Sequence, residues 1–316
     1  MSGPRVACLG ECMIELRERP DGLLARAFGG DTLNTAVYLA RLGAGVDYAT
    51  ALGDDAHSEA MVRAWEEEGV GTGLVLRLPG RLPGLYLIQT DSQGERRFSY
   101  WRDQAPVRQL FEQAETPRVE AGLEAAGLVY LSGITLSLFR GAARARLFAV
   151  LEAVRARGGA VAFDSNFRPR GWPDAAEARA AYDRAIGLST TVLAGVEDFT
   201  LLDGAATPEG LIARLRAAGV GEVVVKLAEP GCIVAPAGRE TPVPPPAPVK
   251  PVDTTGAGDS FAAAYLAARL RGASPEAAAL AGHRLAGVVV QHPGAIIPRE
   301  AMPAGILVPP SPLEPA

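Results

Sequence analysis

The stretch Asp253-Thr254-Thr255-Gly256-Ala257-Gly258-Asp259-Ser260-Phe261 gathers residue types that handle anions and protons. Gly256 and Gly258 reach backbone angles closed to residues with a side chain. With Ala257 between them, their N–H groups can converge ahead of a helix. Ala262, Ala263, Ala264, Leu266 and Ala267 predict that helix from about Asp259 onward. Convergent N–H groups at a helix N-terminus bind anions. Asp259 sets a carboxylate beside the hole. An anion hole takes developing negative charge and an adjacent carboxylate orients an attacking hydroxyl, a pairing that suits phosphoryl transfer. The helix dipole predicts that Asp259 stays ionised at neutral pH. The P-loop pattern Gly-x-x-x-x-Gly-Lys-Ser/Thr is absent. The plainer alternative is a helix start with glycines for the turn and Asp259 as its cap.

Other clusters extend the chemistry. In Gly29-Gly30-Asp31-Thr32-Leu33-Asn34, two glycines let a substrate approach the backbone, and Asn34 offers a donor and an acceptor to sugar hydroxyls. Asp31 or Thr32 is expected to cap the helix that follows. Tyr86 and Tyr100-Trp101-Arg102 fall on strand-like segments. There Tyr100 and Arg102 share one face and Trp101 takes the other. An arginine with tyrosines on one face can close over an anionic, hydroxylated ligand; the alternative is a solvated edge strand with Trp101 at an oligomer interface. Asn166 and Arg168, in Asp164-Ser165-Asn166-Phe167-Arg168, can reach phosphates or a carboxylate from a strand end; the alternative is a strand-end turn with surface ion pairs. Lys226, opening Lys226–Gly231, can meet a nucleotide or face solvent. Glu197 and Asp198 can hold Mg²⁺ through water or act as helix-dipole partners, so no metal ligands are assigned.

The elements that position these residues are those of an α/β protein. Strands at 127–131, 160–164, 191–194 and 222–226 alternate with helices, one of them over 140–157 and another opening at Thr207-Pro208. Such alternation means a mostly parallel sheet with helices on both faces, with ligands beyond the carboxyl ends of its strands. Segments 74–78, 84–90 and 96–102, with a hairpin signal at 91–94, have no helix among them. With 11–30 they read as a small β-sheet lid. One domain therefore spans 1–316: a core over 1–10, 31–71 and 105–304, a lid over 11–30 and 72–104, and a loose tail over 305–316. The Pro-rich run 242–251 reads as an extended connection inside that domain.

The 316 residues are 48% hydrophobic and carry a net charge of −5, so they can bury a large core and offer no basic patch for nucleic acid. No apolar run is long enough to span a membrane, and the first residues do not read as a signal peptide. Cys8, Cys12 and Cys232 suggest no disulfide framework, and three scattered histidines suggest no metal centre. The expectation is a cytoplasmic protein. An open lid face calls for a cover, which predicts a homodimer or larger assembly through the lid.

Taken together, the chain resembles the ribokinase-like (PfkB) carbohydrate kinases, whose two signatures are Gly29-Gly30 and Asp-Thr-x-Gly-Ala-Gly-Asp. Further strings are similar to the branch acting on the sugar acid 2-dehydro-3-deoxygluconate: GECMIEL (10–16), FGGDTLNTA (28–36), RLPGLY (81–86), DSQGER (91–96), YWR (100–102), LSGI (131–134) and GAIIPREAMPA (294–304). The resemblance implies an ATP- and Mg²⁺-dependent kinase that phosphorylates the 6-hydroxyl, in sugar-acid catabolism feeding the Entner–Doudoroff pathway. It implies Asp259 as proton acceptor, with Gly256, Ala257 and Gly258 as the anion hole. Gly30, Asn34, Tyr86, Tyr100, Trp101, Arg102 and Arg168 would surround the substrate. Asn166, Phe167, Arg168 and the loop from Lys226 to Gly231 would lie along ATP. The sequence departs from the family at Ala228, where the nucleotide loop often has Gly, at Ala194, where many relatives have Asn, and at Phe167, often Tyr. Two other readings remain: a kinase of a neutral sugar such as fructose or ribose, which has no need of Arg102 and Arg168, and a non-catalytic sugar or nucleotide sensor, which has no need of Asp259.

Overall fold

The computed structural model describes residues 4–19, 21–90, 96–227, 229–236 and 238–307. Its first half contains β1 (Val6–Leu9), β2 (Met13–Glu18), β3 (Leu24–Gly29), α1 (Asp31–Arg41), β4 (Val46–Leu52), α2 (Ala56–Glu67), β5 (Val75–Arg77), β6 (Leu85–Thr90) and β7 (Arg96–Trp101). Then come a 3-10 turn (Pro106–Glu112), α3 (Thr116–Ala125), β8 (Leu128–Ser132), α4 (Gly133–Leu138), α5 (Gly141–Ala156), β9 (Ala160–Asp164) and α6 (Ala175–Leu188). The last part contains β10 (Thr191–Gly195), α7 (Val196–Asp203), α8 (Pro208–Ala217), β11 (Glu222–Lys226), β12 (Cys232–Pro236), β13 (Thr241–Val243), α9 (Ala257–Leu270) and α10 (Pro275–Val289).

Nine strands form one sheet in the order β13-β12-β11-β10-β9-β8-β1-β4-β5. It is parallel from β11 to β5, and β12 and β13 add antiparallel pairings at one edge. Successive side chains of a strand point to opposite faces, and the central strands are apolar on both. Ala7, Leu9, Val161, Phe163, Val223 and Val225 join the core under α3 to α8. Val6, Cys8, Ala162 and Val224 join the core under α1, α2, α9 and α10. Strands that are apolar throughout are what a sheet covered on both faces requires.

Met13–Glu18, Leu24–Gly29, Leu85–Thr90 and Arg96–Trp101 form a separate four-stranded sheet, ordered β3-β2-β6-β7. The expectation that residues 72–104 belong wholly to this lid is corrected at β5, which pairs in parallel with β4 at the edge of the main sheet. That segment is apolar at Val75 and Leu76, both buried, and a continuous apolar run suits the large sheet better than an open lid. Helix α1 is capped by Gly30 without a side-chain bond, not by Asp31 or Thr32. Helix α9 opens at Ala257, two residues earlier than the pattern predicts. The Pro-rich run begins as edge strand β13, where the missing N–H of Pro242 is tolerated. The predicted hairpin over 91–94, the departure at Ala228 and the tail from 308 lie outside the described residues.

Candidate active site

A cleft of about 1710 Å³ lies between the lid and the carboxyl ends of β1, β9, β10 and β11, closed on one side by the turn into α9. A single small-molecule pocket is typically about 300–1,000 Å³, so this one has room for two reactants.

The turn 253–258 is built by its own side chains. Asp253 accepts from the N–H of Thr255 (2.8 Å) and of Gly294 (2.7 Å), tying the turn to the segment after α10. Tyr38 holds that segment from below, donating to Ala295 O at 2.7 Å and accepting from Ile297 N–H at 3.1 Å. Gly256 has φ +77°, and a Cβ there would come within 2.7 Å of Ala295 O. Only glycine fits both the angle and the space. The N–H of Ala257 bonds Thr254 O at 3.2 Å. Of the three proposed hole residues, Gly256 and Gly258 have no backbone N–H bond among the described residues.

Asp259 follows in the first turn of α9. Asn34 Nδ2 donates to its Oδ2 at 2.8 Å, and Thr35 Oγ1 donates to its backbone O at 3.2 Å, so α1 and α9 hold the carboxylate between them. Burial, then the nearby Asp31 and Asp164 carboxylates, push its pKa up to about 7 against the pull of Asn34 and Lys226. This corrects the expectation that the helix dipole keeps it ionised: desolvation and like charge outweigh a dipole effect of about 1 kcal/mol. The Oδ1 of Asn34 is buried and has no hydrogen-bond partner among the described residues.

Asn166 sits at the end of β9 with φ +25°, the one positive φ outside glycine among the described residues, and donates to Asp31 Oδ2 at 2.7 Å. Lys226, at the end of β11, places Nζ 2.8 and 2.9 Å from the two oxygens of Asp164. Burial lowers its pKa, but Asp164 and Asp198 outweigh burial and raise it, so the ammonium stays charged. Asp198 accepts from Ser165 Oγ (2.6 Å) and from Phe167 N–H (3.0 Å). It braces the loop that carries Asn166 and Arg168. Glu197, beside it, is exposed at the rim.

At the lid end, Tyr86, Tyr100 and Arg102 line the cleft, as do Gly30, Arg168 and Asn166. The Tyr86 hydroxyl is bonded to the buried Glu15. Gly29 and Gly30 are as much a packing device as an approach for ligand: a Cβ on the first would meet Tyr86 and on the second Glu11 O. Arg102, expected to close over an anionic ligand, forms an ion pair with Glu11, which is 3% exposed. Trp101 points to the opposite face of β7 and is 60% exposed, away from the cleft. Phe167 is buried against Tyr182 in the core below α6. Gly231, at φ +144°, lies by Leu227 and Pro244, outside the cleft lining. Sequence reasoning missed Glu11, Asp31 and Arg108 as cleft residues. Glu11 and Asp31 were already inside quoted strings, each a carboxylate two residues beyond the end of a strand, and that was the available signal. Arg108 carried none.

The model of the pfkB family carbohydrate kinases matches residues 4–302. A 2-dehydro-3-deoxygluconokinase of Dickeya dadantii is 45% identical over 96% of this chain and 100% of its own. A fructokinase of Klebsiella pneumoniae is 31% identical over 83% of each. The crystal structure of a fructokinase of Xylella fastidiosa with bound ATP superposes with a TM-score of 0.80 at 23% identity, covering 95% of each chain. The chain belongs to the pfkB family of carbohydrate kinases.

Proposed function

We propose that the protein transfers the γ-phosphoryl group of ATP to the 6-hydroxyl of 2-dehydro-3-deoxy-D-gluconate. As a family member it is a phosphotransferase with an alcohol acceptor. The choice of a sugar acid is supported by 45% identity to the Dickeya enzyme along nearly the whole chain, against 31% to the fructokinase. The observation that carries the chemistry is Asp259, a carboxyl with pKa near 7, held by Asn34 beside an anion-binding turn. A base titrating near working pH is the best compromise between being free and being basic.

The sugar would lie against Gly30, Asn34, Tyr100 and Arg102, its 6-hydroxyl at Asp259. The triphosphate would run past Lys226, Asn166 and Arg168 to the N–H groups of Gly256 and Gly258. Asp259 takes the proton of the hydroxyl, whose oxygen bonds to the γ-phosphorus as the bond to the β-phosphate oxygen breaks and ADP leaves. The N–H groups of the turn and Lys226 balance the negative charge that develops. Mg²⁺ usually keeps several waters and takes one or two carboxylates beside substrate phosphates. Glu197, exposed and facing the cleft, fits that outer role, whereas Asp198 is engaged in bracing its loop. When bound, the ion neutralises phosphate charge.

Leu24 is 51%, Leu82 63% and Trp101 60% exposed. These apolar groups on and beside the lid support a homodimer covering it, read by light scattering; a monomer at micromolar concentration overturns that assembly. No described helix is long and apolar enough to cross a membrane, and the substrates support a cytoplasmic place. The deciding test is ADP release with a panel of sugars and sugar acids. The sugar acid is expected to be preferred to fructose and ribose at equal concentration; preference for a neutral sugar overturns the substrate assignment.

A further inference from the structure

The lid end of the cleft holds an arginine that the reading above leaves without a task. Arg108 lies in the 3-10 turn Pro106–Glu112, whose Val107, Leu110 and Phe111 are buried in the main core. Its backbone is therefore fixed to the body of the molecule, not to the lid. Its Nε donates to Arg102 O at 3.2 Å, which aims the guanidinium along the cleft wall beside Glu11 and Arg102. Among the described residues no carboxylate lies within ion-pair distance of it, whereas Arg102 has Glu11. Burial, together with Arg102 and Arg140, disfavours its charge more than Glu11 and Asp103 favour it. Glu11 is ion-paired to Arg102 and Asp103 is exposed to solvent, so among the described residues Arg108 is the guanidinium of this group without an ion-pair partner.

A half-buried cation facing a cleft without a partner is a loss unless a ligand supplies the anion. We propose that Arg108 pairs with the carboxylate of the substrate and sets the preference for a sugar acid over a neutral sugar. Glu11 matches the charge of the neighbouring Arg102, which is left to act through its remaining N–H donors. The assignment rests on the sugar-acid reading above, so the test must separate the two.

A suitable pair of substrates is 2-dehydro-3-deoxygluconate and 3-deoxyfructose, the same carbon chain with a hydroxymethyl group in place of the carboxylate. The quantity to measure is the ratio of their kcat/KM values in wild type, Arg108→Gln and Arg108→Lys, with KM for ATP alongside. Loss of one partner from a charge pair in a shielded site is worth a factor of about ten or more. Arg108→Gln is expected to lower the ratio at least about tenfold, entirely through the acid. Turnover of 3-deoxyfructose and KM for ATP stay level, which also shows that the variant is folded. Arg108→Lys keeps the charge and most of the ratio. If wild type prefers the acid and Arg108→Gln keeps that preference, the role of Arg108 is overturned and the substrate reading stands. Equal losses on both substrates make Arg108 a structural link to Arg102 and overturn the proposal as well. If wild type shows no preference for the acid, both fall together.

Discussion

The two ends of the cleft are built in different ways. At one end Asp259 stands on α9, where every residue from Ser260 to Ala268 is buried. Small residues let the neighbouring helices close in: a Cβ on Gly282 of α10 would strike the ring of Phe261. The proposed base is held by α1 and stands beside the turn into α9. At the other end the lid has a small apolar core of Met13, Tyr86 and Ile88 with Phe98 beside them. Most of β3 is exposed. Polar pairs do the rest: Glu15 with Tyr86 and Arg17, Glu11 with Arg102. A dense core fixes geometry to fractions of an ångström, as general-base chemistry demands. A thin sheet held by ion pairs can open for a substrate and can exchange its charges. On the proposed assignment the reaction resides in the part that tolerates least change, and the choice of acceptor in the part that tolerates most.

The largest effect should come from the dense end. Asp259→Asn keeps the shape and the bond to Asn34 but removes the proton acceptor. Turnover should fall by about 10²–10⁴, with binding of both substrates largely kept. Near-normal turnover in steady-state kinetics would remove Asp259 as the base and much of the mechanism with it.

At the lid end, Arg102→Ala should act on binding and not on chemistry. It removes donors and leaves the buried Glu11 carboxylate without its ion pair, close to the substrate's own negative charge. Breaking one partner of such a pair costs on the order of 2–5 kcal/mol, so KM for the sugar acid should rise at least about tenfold. KM for ATP should hold. Equal increases in both would mean that the lid ion pair supports the whole cleft, and the contrast between its ends would dissolve.

Much of this arrangement was legible in the chain. Apolar strands alternating with helices gave the parallel sheet, and Gly256, with Asp259 three residues on, gave the turn and the carboxylate beside it. Strand alternation placed Tyr100 and Arg102 toward the cleft and Trp101 away from it. What could not be read was pairing across long sequence separations. Arg102 meets Glu11, Asn166 meets Asp31 and Lys226 meets Asp164 only because β1, β7, β9, β11 and α1 converge. Each of these residues looked unpaired in one dimension. The raised pKa of Asp259 was hidden for the same reason, because its burial and then the approach of Asp31 arise only through the fold. Helix α1 likewise starts on Gly30 without a side-chain cap, leaving Asp31 to bond Asn166.

That raised pKa gives the dense end a pH signature. The base acts when deprotonated, so kcat/KM should fall about tenfold per pH unit below about 7. Asp31→Asn removes the carboxylate that contributes most after burial, and the acid limb should move to lower pH. The lid variant Arg102→Ala should leave the limb in place. A limb that shifts equally in both variants would tie the ends electrostatically and weaken the division between them.

The smallest effect concerns stability, and its sign follows from linkage. The Asp259 carboxyl rises from an ordinary 3.8 to about 7 on folding, so the folded state holds the proton more tightly than the unfolded chain. Below the ordinary value both states are protonated and nothing is lost. As pH rises towards 7 the unfolded chain releases its proton first, and folding becomes progressively less favourable relative to low pH. Asp259→Asn abolishes that dependence, since an amide does not titrate there, while it keeps an acceptor for Asn34. The variant should therefore melt above wild type at pH 8, by roughly a few degrees, and the gap should close as pH falls to 4. This is the stability that active sites commonly forgo for activity. Arg102→Ala should do the opposite, lowering Tm by leaving Glu11 unpaired. Scanning calorimetry of both variants from pH 4 to 8 separates the outcomes. If Asp259→Asn melts below wild type at pH 8, its carboxylate stabilises the folded state there, and the opposition drawn between a catalytically strained end and a structurally paired one is wrong.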